Sequence, residues 1–371
     1  MSLSKAGLFL LLIIVCSGCL PIHRVNIERP FEGLAAKVNE TSGSGGILRI
    51  LVVHGMGIHP EGYSFPLITR AISLSHLNLY GPPERVEIRD KSHFYGALNI
   101  QSYASGTRKM KVYELTWSPT TEYIKRHQFE IDMQESRSRQ LVNDALKQSL
   151  VDLSLSDAVL YAGTFREQMR YPIKVAINRM IADGFEDGDQ IAMVSFSLGS
   201  YMLLDTIAAM AKPEPNRDTT LQRNSMEELV AHTSQIYMLA NQVPLLELSN
   251  LEVPTEDRFR TATQPGTDVL ERFIELKSIA VAGRKVPRAI LTKFQVVSFS
   301  DPNDLLSYTL NKTNLASNYP SISVNPVNVS MIIEPWSILG IVANPAVAHT
   351  NWDMDNRALD LLIFGYPSKS R

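Results

Sequence analysis

The chain alternates short apolar runs with longer stretches of helical spacing. Ile47 to Val53 (ILRILVV) is a dense run of aliphatic residues, which predicts a strand buried on both faces. It ends in His54-Gly55-Met56-Gly57, a turn, and Phe65 to Leu77 then places Leu67, Ile68, Ala71, Ile72 and Leu74 as on a helix. Arg85 to Ile88 and Leu98 to Tyr103 read as edge strands, and Met110 to Trp117 as a clearer one. Ser118 to Gly184 is the most helical region, and Pro172 is expected to break or kink it. Gln190 to Ser195 (QIAMVS) is a second buried strand, followed by a turn and the small-residue helix Ser200 to Ala211. Gln235 to Leu239 and Phe294 to Phe299 read as further central strands, Val327 to Ile333 as a weaker last strand, and Asn356 to Phe364 as a helix. Such alternation predicts an α/β domain with a mostly parallel sheet covered by helices on both faces. Glu247 to Asp268 is polar, irregular and long for a loop, so it reads as a functional or lid-like insertion.

The start of the chain has a different character. Lys5 precedes a short apolar run, Ala6 to Val15, and Cys16-Ser17-Gly18-Cys19 follows. That run is too short for a good membrane-spanning helix and has the length of a signal-peptide core. The tetrad resembles a bacterial lipobox, with Cys16 where Leu is usual, so residues 1–18 are expected to be a lipoprotein-type signal peptide and Cys19 the lipidated residue. Residues 19–46 end in a Gly/Ser-rich stretch and read as a flexible tether, leaving 47–371 as the folded domain. The expected place is the bacterial cell envelope, membrane-anchored through that lipid.

Composition narrows the chemistry. The chain has 371 residues and two cysteines, both inside the N-terminal segment, which leaves the domain without a thiol nucleophile, disulfide or thiolate metal site. Its 36 basic and 38 acidic residues give a net charge of -2, no basis for whole-protein attraction to nucleic acid. With no glycine-rich phosphate loop and no His/Asp metal spacing, no cofactor, metal or nucleic-acid partner is expected.

Ser195-Phe196-Ser197-Leu198-Gly199 lies between a buried strand and a helix of small residues. That is the setting of a nucleophile elbow, in which the central Ser sits in a strained turn and the residues two before and two after must be small. Ser195 stands where Gly is usual. The acid and base of such a site follow in the order Ser, Asp or Glu, His. Ser300-Asp301-Pro302-Asn303-Asp304 follows a strand end, with Asp304 the expected acid and Asp301 the alternative, since Pro302 holds Asp301 extended for an Asx turn. His349 is the only histidine beyond His232 and is the expected base, in a loop before the last helix. The amides of Leu198 and Met56 are the expected oxyanion donors. His54 is expected to brace its loop. Gln242, Asn241 and His59 are candidate substrate contacts.

Five segments, VHGMG, DAVLY (Asp157 to Tyr161), VSFSLGS, SFSDPNDLLSY and AHTNW, occur in order. Together they resemble bacterial α/β-hydrolases of the lipase/esterase type from about Ile47 to the C-terminus. The resemblance implies an α/β-hydrolase fold and metal-free, serine-based hydrolysis of an ester or lipid-like small molecule. A thioesterase, amidase or acyltransferase would use the same residues, and a silent hydrolase scaffold kept for binding is the contrasting expectation.

Overall fold

The computed structural model describes residues 24–135, 139–140, 143–144, 147–212, 219–250, 268–283, 289–311, 315, 319–333, 337–338 and 342–367. The expected signal peptide and Cys19 lie outside the described residues, as do residues 251–267 of the lid-like insertion. Among the described residues no helix is long and apolar enough to cross a membrane.

The elements run β1 (Val25–Ile27), β2 (Phe31–Glu32), α1 (Leu34–Gly43), β3 (Leu48–Val53), α2 (Phe65–Ser75), β4 (Asn78–Arg89), β5 (Phe94–Ser105) and β6 (Arg108–Thr116). A helical excursion follows: α3 (Pro119–Glu135), a π-helical segment Lys147–Leu155, α4 (Ser156–Ala162) and α5 (Arg166–Ala182). Next come β7 (Gln190–Phe196), α6 (Leu198–Met210), α7 (Thr219–His232), β8 (Thr233–Leu239), α8 (Val243–Leu246), α9 (Asp268–Ala282), α10 (Ala289–Thr292) and β9 (Lys293–Ser300). The chain closes with β10 (Ser323–Met331), the short pair β11 (Ser337–Ile338) and β12 (Val342–Ala343), α11 (Pro345–Thr350), α12 (Asn356–Phe364) and β13 (Gly365–Tyr366).

Among the described residues nine strands form one sheet in the order β1-β10-β9-β8-β7-β3-β6-β5-β4. The six from β10 to β6 are parallel, while β1, β5 and β4 pair antiparallel at the two sides. This is a mostly parallel α/β sheet with helices on both faces. Alternate positions divide between two cores: Leu51, Val53, Ile191 and Met193 pack with α5, α6, α7 and α9, and Ile50, Val52, Ala192 and Val194 with α1, α2 and α12. Every β3 residue is buried, which explains a run that is apolar but for Arg49. Arg49 is tolerated within it because its guanidinium grips buried Asp189, Nη2 to Oδ2 at 2.7 Å.

Three expectations change. The flexible tether does not hold from residue 25 onward: β1 joins the sheet against β10, and α1 buries Leu34, Lys37, Val38 and Thr41. Its polar composition hides a one-sided helix whose buried positions recur every three to four residues. Pro172 does not break the helix, since α5 runs through it and buries it beside Met169, Ile173 and Ala176, so packing against the core outweighs one lost hydrogen bond. The two edge strands are longer than their apolar centres and form a meander, β4 with β5 and β5 with β6.

Candidate active site

β3 pairs with β6 on one side and β7 on the other, so the connections leaving β3 and β6 diverge at the carboxyl edge of the sheet. Crevices at such reversals are where open α/β sheets hold their ligands. The chain after β3, β7, β8 and β9 emerges on this edge and supplies His54 to Gly57, Ser197, Asn241-Gln242 and Asp301 to Asp304.

Ser197 ends the β7 turn with φ 50 and ψ -126. This left-handed backbone is rare and costly for a residue with a Cβ and persists only where the surroundings impose it. Its amide donates to the Leu239 carbonyl at 2.7 Å, tying the turn to β8. The close packing expected around an elbow is present: a Cβ on Gly55 would lie 2.8 Å from Ser197 Cβ, and one on Gly199 would collide with the His54 carbonyl. Gly199→Ala is therefore expected to lower stability by about 1–3 kcal/mol through overpacking and to reduce any Ser197 reactivity; urea melts and ester turnover measure the two, and an unchanged midpoint would contradict it. Ser195 fits where Gly is usual in such a turn because its buried Oγ lies 3.2 Å from the Tyr237 carbonyl and 3.0 Å from Ser200 Oγ.

The three expected catalytic side chains meet. Ser197 Oγ is 2.7 Å from His349 Nε2, and His349 Nδ1 is 2.8 Å from Asp304 Oδ2. Nδ1–H donates to the carboxylate, which leaves Nε2 as acceptor for the serine hydroxyl. The Asp304 side chain is wholly buried, and its Oδ1 accepts from the Leu306 amide at 2.9 Å. His349 lies in α11 rather than in a loop; Asn344 caps that helix by accepting from the Ala346 and Val347 amides, with Pro345 at its first position. Asp301 is not at the histidine. Its Oδ1 accepts from Asn303 N at 2.8 Å and its Oδ2 from Ile333 N at 2.7 Å, so it forms the Asx turn and pins the loop to the end of β10.

The loop after β3 lies beside this line. His54 is fully buried; its Nε2 accepts from the amides of Trp117 (2.9 Å) and Ser118 (3.2 Å), so Nδ1 carries the proton and donates to Gly55 O at 2.8 Å. The N–H and C=O of a trans peptide point in opposite directions, so holding Gly55 O also sets the direction of the Met56 N–H. Leu198, whose amide is the other expected donor, opens α6, where the helix dipole favours negative charge.

Burial pushes the His54 ring well below the ordinary histidine range. An unfolded His54 binds a proton below about pH 6.5 while the folded one stays neutral, so its stabilising contribution is complete above that pH and is lost as pH falls. Urea melts from pH 8 to 5 are expected to show stability falling below about pH 6.5, with a shallower fall in His54→Asn. Equal slopes would contradict the assignment.

The remaining candidates divide. Asn241, expected as a substrate contact, has both ends of its amide engaged: Nδ2 donates to Tyr308 O at 3.0 Å and Oδ1 accepts from Val243 N at 3.1 Å. It fastens the chain beyond the Asp301–Asp304 loop to the turn after β8, a role that local sequence does not announce. His59 donates to Met56 O at 3.0 Å and stacks on His54, so it braces the loop. Gln242 is buried with Nε2 3.4 Å from His349 Nε2, beside the expected base. Among the described residues no group of three or more His, Cys, Asp or Glu side chains is arranged to hold a metal ion. No protein-family model matches the chain, and no curated protein matches it.

Proposed function

We propose that the protein is a serine hydrolase of the α/β-hydrolase type that cleaves a carboxylic ester through an acyl-enzyme. The observation that carries this reading is the continuous line Ser197–His349–Asp304, with both contacts at hydrogen-bond length and the serine on a strained turn. The strand positions support it: nucleophile after β7, acid after β9, base after β10.

In this mechanism Ser197 Oγ attacks the ester carbonyl carbon and its proton passes to His349 Nε2, while Asp304 stabilises the imidazolium. The oxyanion is held by the Met56 and Leu198 amides. Collapse breaks the bond to the leaving alkoxide, which takes the proton from His349. Water then attacks the acyl-enzyme, giving its proton to His349, and the acid is released with Ser197 restored. Lipid attachment at Cys19 would place this chemistry at a membrane of the cell envelope.

The test is a stopped-flow assay with p-nitrophenyl esters of increasing chain length. The reading expects a burst of nitrophenol equal to the enzyme concentration and then slower turnover. Folded protein that releases nitrophenol no faster than buffer would overturn it.

A further inference from the structure

The proposed oxyanion loop is gripped by residues that the triad does not use. Lys125 on α3 and Asp157 on α4 form an ion pair, Nζ to Oδ2 at 2.9 Å, with both side chains 0% exposed. Asp157 Oδ2 also accepts from the Gly57 amide at 2.8 Å, and Lys125 Nζ donates to the Gly57 carbonyl at 3.1 Å. Thr121, one helical turn before Lys125, donates to Asp157 Oδ1 at 2.6 Å. Both backbone polar groups of the residue following Met56 are thus held by one buried pair. The remaining end of the Met56–Gly57 peptide, the Met56 carbonyl, is held by His59.

Buried ion pairs are a weak device for stability alone, because desolvation cancels much of their attraction. Here the two charges converge on a single glycine, and that is informative. An oxyanion donor acts through being aimed before charge develops, so that nothing reorganises during reaction.

We propose that Asp157 and Lys125 are positioning residues: they lock Gly57, and through it the Met56 amide, in the orientation that receives the oxyanion. The proposal rests on the hydrolase reading of Ser197. It makes the helical excursion between β6 and β7 a working part of the site, with α3 supplying Thr121 and Lys125 and α4 supplying Asp157.

The test compares full-length wild type with Asp157→Asn, Lys125→Met and Thr121→Val. Steady-state ester kinetics are paired with the affinity of an alkyl trifluoromethyl ketone, which forms a tetrahedral oxyanion adduct on an active serine. The expected result is a kcat lower by about 10- to 100-fold for the first two, and severalfold for Thr121→Val. KM should stay within about threefold of wild type and ketone affinity should fall in step with kcat/KM. The double variant Asp157→Asn/Lys125→Met is expected to lose less than the product of the singles, because the pair acts as one unit.

Folded Asp157→Asn or Lys125→Met protein with wild-type kcat and ketone affinity would overturn the proposal. If neither folds, Thr121→Val, which leaves both charges paired, decides it by the same criterion. Fluorophosphonate labelling of the wild type separates the two readings: no labelling sinks the hydrolase reading, whereas a labelled wild type with unaffected variants sinks only this one.

Discussion

Ser197→Ala is expected to lower kcat on an aryl ester by about 10⁵- to 10⁶-fold, with KM little changed. Ser197 Oγ is the elbow hydroxyl that faces His349 Nε2, whereas the Ser195 hydroxyl is buried against Ser200 and the Tyr237 carbonyl. Any residual rate should come from the oxyanion amides and substrate binding, which survive the substitution. Circular dichroism and thermal melts should show a folded protein, since one oxygen is removed and no buried volume is added. A folded variant that kept more than a tenth of wild-type kcat would place the chemistry on another group.

The second large effect separates the two carboxylates of the loop after β9, Asp301 and Asp304. Asp304→Asn is expected to cost about 10⁴-fold in kcat, because an amide no longer holds the imidazole with Nδ1 protonated and Nε2 free to accept. Asp301→Asn is expected to leave kcat within about tenfold but to lower stability by about 1–3 kcal/mol, because Oδ2 accepts from the Ile333 amide and Oδ1 shapes the turn. Kinetics and denaturation of both variants decide it. A larger rate loss at Asp301 would reverse the assignment.

How much of this was legible in the sequence follows from the range of the forces involved. The central strands were readable because burial on both faces leaves a nearly continuous apolar run, as in Leu48–Val53, where every residue is buried and only Arg49 is polar. That Ser197, Asp304 and His349 would meet was readable because the chain order of nucleophile-elbow sites constrains which residues to look for. The edge strand β4 was only partly readable, since Gly81-Pro82-Pro83 interrupts it and its register shifts between Tyr80 and Glu84. β1 was invisible: Val25 is 45% exposed, and the strand exists through its pairing with β10. The partners that shape the site were equally hidden. Asn241 reaches Tyr308, and Asp157 reaches Gly57, each through backbone atoms remote in the chain. No local pattern reports such a bond, because it depends on the fold that brings the two segments together.

An activated serine at residue 197 should be open to covalent capture by a fluorophosphonate. Full-length protein is incubated with a fluorophosphonate, digested, and the adduct located by tandem mass spectrometry. One stoichiometric phosphonyl adduct on Ser197 is expected, and it should be lost on heat denaturation before labelling. Folded protein that stays unlabelled, or carries its adduct on another residue, would contradict it.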